Sequence, residues 1–136
     1  MRFFIILFYI IFFIPAVFAD DGGPIKVKRI ECKYVEHPKA QSVYFLISDD
    51  DKSAQKIFLW SKDKFKNNKV EVIRKLRLIE FWDRTEDEVW SMWREDGKIY
   101  NPSMSCVPLS ENFDPVKYFE NYIKKEIEEQ KKKNIF

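Results

Sequence analysis

From residue 25 onward, apolar and polar positions alternate in short runs, and only near the C-terminus does the spacing change to three and four. A period of two predicts half-buried strands and a period near 3.6 predicts a helix. Ile30, Cys32 and Tyr34 alternate with polar or charged neighbours, so residues 25–35 read as a strand that Glu36-His37-Pro38 breaks. Residues 43–48 (Val-Tyr-Phe-Leu-Ile-Ser) form a second strand, rich in aromatic and β-branched residues. Asp49-Asp50-Asp51-Lys52-Ser53 reads as a solvated turn, and residues 56–61 as a third strand. Asn67-Asn68 supplies residues that tolerate the left-handed backbone of a turn.

Residues 69–82 fit two patterns. Val70, Val72, Leu76 and Leu78 alternate with charges, while Val72, Leu76 and Ile79 also share one helical face. The strand is preferred because turn residues bound the segment and its neighbours are strand-like. Residues 89–94 form another strand, with Trp90 and Met92 on one side and Val89 and Trp93 on the other. Asp96-Gly97 is a hairpin signal leading into Lys98-Ile99-Tyr100. Asn101-Pro102 ends that strand, and an irregular stretch holding Cys106 runs to Asn112.

The last segment is the clearest. Asp114 is placed to cap a helix with Pro115 in its first position. Val116, Phe119, Ile123 and Ile127 make one apolar stripe, and Lys131-Lys132-Lys133 lies at the negative end of the helix dipole. The sum predicts an α+β fold: an antiparallel sheet or half-barrel of five to six short strands with one C-terminal amphipathic helix laid on its face.

Before this pattern comes a different one. Residues 3–18 are almost continuously apolar, preceded by Arg2 and followed by Ala19. A positive start, an apolar middle and a small-residue cleavage site make a secretory signal. The run of 16 residues contains Pro15, whereas a membrane-spanning helix needs about 20. The expected organisation is a signal peptide over 1–19, a flexible leader over 20–24 and a single small globular domain over 25–136. The protein is then secreted and extracellular, with no stable membrane insertion after cleavage. Asn101-Pro102-Ser103 is no glycosylation acceptor, because proline blocks it.

Cleavage leaves 136 − 19 = 117 residues, enough for one core. It removes Arg2, leaving 23 basic against 22 acidic residues. That near-balance argues against nucleic acid as a partner, which calls for a basic excess. Cys32 and Cys106 are the two cysteines, and an even count in an oxidising compartment predicts a disulfide. Closing a loop of that length is worth about 4 kcal/mol in the chain-entropy model.

The remaining chemistry is sparse. His37 is the single histidine and precedes a proline. One histidine and two paired cysteines build neither a zinc site nor a nucleophilic triad. Gly22, Gly23 and Gly97 are the three glycines, so no phosphate-cradling loop exists. Asp-Asp-Asp-Lys lacks the alternation and central glycine of a calcium loop. No catalytic residue, metal ligand or cofactor is assigned.

Aromatics stand out instead: 23 in the chain less seven in the signal leaves 16. Trp60, Trp82, Trp90, Trp93 and Tyr100 are the candidate binding residues, because Trp and Tyr are favoured where partners meet. Both faces of the 89–94 strand carry a tryptophan, and a simple half-buried strand hides only one. The first functional expectation is a secreted, non-enzymatic interaction protein that binds a protein partner through an aromatic-rich β surface. The second is a carrier holding a small apolar ligand in a tryptophan-lined cup. A protease inhibitor or small enzyme is third.

One stretch resembles a known module. Tyr44-Phe45, then Ile57-Phe58-Leu59-Trp60-Ser61-Lys62-Asp63-Lys64, then Lys69-Val70-Glu71-Val72 are similar to the FAINT domain of secreted piroplasm-parasite proteins. The shared pattern is an aromatic strand, a charged turn, a Trp followed by a Lys/Asp turn, and a Val-rich strand. The resemblance implies a parasite protein released toward its host and brings no catalytic residues. The inhibitory loop of cystatins, Gln-x-Val-x-Gly, is met by Gln41 and Val43 but not by Phe45.

Overall fold

The computed structural model describes residues 22–136. The predicted signal peptide, and Asp20 and Asp21 of the leader, lie outside the described residues. Eight strands follow one another: β1 (Arg29–Tyr34), β2 (Val43–Ile47), β3 (Ser53–Ser61), β4 (Lys64–Arg74), β5 (Leu78–Asp83), β6 (Glu88–Trp93), β7 (Lys98–Tyr100) and β8 (Ser103–Pro108). The helix α1 spans Pro115–Lys133. Each strand pairs antiparallel with the next, and β1 pairs with β8, so the sheet is a closed barrel with no free edge.

Antiparallel strands and one C-terminal helix agree with the sequence, but eight closed strands replace the expected five or six. Two of three local readings add the extra strands, and the first only lengthens one. Asn67-Asn68 is not a turn but lies inside β4, whose side chains need Asn68 facing inward to reach Asp83. Residues 69–82 are two strands parted at Lys75-Leu76-Arg77, a turn with no glycine, proline or asparagine to mark it. The stretch after Asn101-Pro102 that reads as irregular contains β8, where Met104 and Cys106 point inward between outward serines. Serine has little strand propensity, so this alternation carries a weak signal. The first strand is also shorter than expected, starting at Arg29.

Inward positions pack along the barrel axis. Phe45 and Phe81 stack at 4.1 Å and Trp90 meets Phe45 edge-on at 5.7 Å. Val70, Ile99 and Met104 close around them, each at most 1% exposed. Cys32 and Cys106 are register partners across the β1–β8 seam and form the expected disulfide. At the β6–β7 hairpin Gly97 has φ of 73°, and a β-carbon there would sit 2.5 Å from the Cys106 carbonyl oxygen. Only glycine fits that close approach.

The helix begins as predicted. The Asp114 carboxylate accepts the N–H groups of Val116 and Lys117 at 3.1 and 3.3 Å, with Pro115 in the first turn. α1 lies on the outside of the barrel over β3 and β4. Phe119 is fully buried there, stacked on Phe65 at 5.9 Å and edge-on to Tyr44 at 5.7 Å.

Candidate functional site

β3 alternates Ala54, Lys56 and Phe58 toward the axis. Lys56 therefore enters the barrel with a charge, and it is only 1% exposed. Its ammonium lies 3.1 Å from Asp83 Oδ2 and also pairs with Glu88. It sits 4.3 Å above the Trp90 ring and 4.9 Å above that of Phe58, so two aromatic faces replace the water it lost. Asp83 is saturated as an acceptor. Oδ2 takes Lys56 and Asn68 Nδ2, both at 3.1 Å, and Oδ1 takes the N–H groups of Thr85 and Glu86. Burial alone would raise its pKa, but the bonds from Asn68, Glu86 and Lys56 outweigh burial and hold it below the usual carboxylate value. Burial first and Glu88 second push the Tyr34 phenol up.

This cluster is a closed network of buried charges. Every acceptor site of Asp83 is taken, and Lys56 is walled in. The described residues contain no group of three or more His, Cys, Asp or Glu placed to hold a metal ion. Nor is the 49–53 turn fully solvated as expected: Asp51 is 5% exposed, with φ of 60°, and binds the Ile25 N–H, Lys28 and Arg74.

The outer surface offers a second arrangement. The register between β3 and β4 shifts between Leu59 and Ser61, a bulge that breaks alternation at the strand end. Trp60 is left 57% exposed, with the Lys66 ammonium 4.7 Å over its ring. Lys66 is itself paired with Glu86. Facing Trp60 is the second half of α1, where the apolar stripe continues through Ile123 and Ile127 but the barrel no longer covers it. Between them runs a groove of about 850 Å³, floored by Phe65 and rimmed by Lys64, Lys124, Lys131, Glu120 and Glu128.

The five candidate aromatics do not share one surface. Trp90 is inside the barrel at 5% exposure, and its indole N–H has no hydrogen-bond partner among the described residues. Trp60 lines the α1 groove. Trp93 lines a separate cavity beside residues 22–27. Trp82 is half-buried on the outside, its N–H on Glu80 at 3.3 Å and Arg84 5.7 Å from its ring. Tyr100 is exposed on β7. The sequence reading missed the contributions of Phe65, Ile123 and Ile127. The signal was present in an apolar stripe longer than a short barrel can cover. Comparison with protein-family models, curated proteins and solved structures finds no match to this chain.

Proposed function

We propose that this chain is a secreted, non-enzymatic interaction protein that holds a segment of a protein partner in the groove between α1 and the β3–β4 hairpin. The observation that carries the reading is the exposure of Trp60 beside an uncovered helical stripe, when other tryptophans of the same chain are buried or half-buried. A large aromatic surrounded by rim charges is the composition of a binding hot spot. The partner segment needs an apolar side chain for Trp60, Phe65 and Ile127. It also needs carboxylates for Lys64, Lys124 and Lys131 at the rim. Lys66 is already paired with Glu86, so Lys64, Lys124 and Lys131 are the groove lysines left to meet such carboxylates.

An eight-stranded barrel is just wide enough to be filled by its side chains or to hold one small ligand. Here Phe45, Phe81 and Trp90 stack on the axis, which supports placing recognition outside. The test is binding by Trp60→Ser and Ile127→Lys variants. Both are at exposed positions, so loss of a partner with the fold intact supports the groove, and retention of the partner by both removes it.

A further inference from the structure

We infer that the end of the barrel crossed by residues 22–28 is a binding site for one small, uncharged, apolar molecule, separate from the α1 groove. Between this segment, the β6–β7 turn and the end of β8 lies a cavity of about 600 Å³. That volume falls within the roughly 300–1,000 Å³ of small-molecule sites. Its inner wall is Ile30, Ile79 and Met92, side chains that point into the barrel, and its outer wall includes Trp93, Val107 and Pro108. Met92 gives this wall a flexible, polarisable surface that adapts to ligand shape.

The segment over the cavity is tied down on both sides, so it cannot simply collapse into the space. On one side Ile25 is buried and its N–H donates to Asp51 Oδ2 at 2.9 Å. On the other, Arg94 Nη2 donates to the carbonyl oxygens of Gly23 and Pro24 at 3.0 and 3.1 Å. These polar ties hold an apolar void open. The charged residues at the rim, Lys26 and Arg94 against Glu95 and Asp96, cancel. A charged ligand therefore has no net attraction to offset its desolvation, and a neutral one loses nothing.

The test uses the protein released by a eukaryotic host from the full chain, stripped on a hydrophobic resin and titrated with the neutral dye N-phenyl-1-naphthylamine. The expected result is saturable one-to-one binding, seen as enhanced dye emission. Val107→Trp, which fills the cavity from an exposed position, is expected to weaken it about tenfold or more. Trp60→Ser is expected to leave it unchanged. In wild-type protein the Met92 methyl resonance moves on dye addition while that of Met104, deep in the core, stays. That arm holds even if Val107→Trp does not fold. Absence of saturable binding, a Met92 resonance that stays, or loss of binding in Trp60→Ser overturns the site. A Met92 resonance that stays leaves the α1 groove untouched as a separate question, whereas loss of binding in Trp60→Ser places the dye in that groove instead.

Discussion

The Lys56 ammonium lies 3.1 Å from Asp83 Oδ2 inside the barrel, with neither side chain more than 2% exposed. Breaking a buried pair strands its partner, and the cost is about 3–5 kcal/mol. Asp83→Asn is expected to lower stability in urea by about 3 kcal/mol, the low end because Glu88 still reaches Lys56. Lys56→Met combined with Asp83→Asn removes the stranded charge, so the double variant is expected to be more stable than Asp83→Asn alone. Additive losses would show that the two residues are not coupled.

The same pair sets an acid limit. The Asp83 pKa is lowered in the folded state. Its contribution is then complete above the unfolded carboxylate value of about 4 and is lost as pH falls through the lower folded value. Stability of the wild type is expected to fall more steeply below about pH 4 than that of Asp83→Asn, as urea midpoints at successive pH values would record.

A mirror-image effect is expected at alkaline pH. Burial first, and then Glu31, push the Tyr44 phenol up to about 12. A raised folded pKa means stability that is full below the unfolded value of about 10 and is lost as pH rises through the folded one. Tyr44→Phe is expected to flatten the loss between pH 10 and 12, measured by thermal melts across that range.

The disulfide closes the barrel at the β1–β8 seam across a sequence separation of 74. Replacing both by alanine is expected to cost about 4 kcal/mol by loss of loop closure. Far-UV spectra of the folded variant should keep the wild-type shape, since the seam is also held by five register pairs between β1 and β8.

Phe119 anchors α1 with no exposure. Phe119→Ala is expected to cost about 3–5 kcal/mol. Hydrogen exchange should show α1 losing protection ahead of the barrel strands, because the outer cluster around Tyr44 and Ile57 is separate from the axial core. Simultaneous loss in both would show one cooperative unit.

The start of the helix was legible to the residue, because Asp114-Pro115 and the apolar stripe act locally and need no partner strand to be recognised. The disulfide was legible from the even cysteine count and the expectation of an oxidising compartment. The closed barrel was not, since closure depends on β1 meeting β8, whose serines carry little strand signal. Trp90 and Met92 were correctly given one face, but which face is interior is fixed only by the other strands. Lys56 shares its alternation with Ala54 and Phe58. Its burial was readable in principle, yet a lysine among strand residues ordinarily marks the solvent side. Trp60 stood out by type, but its exposure comes from a bulge that sequence alternation does not reveal.

The groove reading is tested most directly by comparing what immobilised wild-type protein captures from extracellular fluids with what Trp60→Ser, Ile127→Lys and Tyr100→Ser capture. All three substitutions are at exposed positions and are expected to change stability by no more than about 0.5 kcal/mol. The account predicts a protein that wild type and Tyr100→Ser retain and that both groove variants lose. Capture that is the same for all four proteins, or that is lost with Tyr100→Ser and kept by the groove variants, contradicts it.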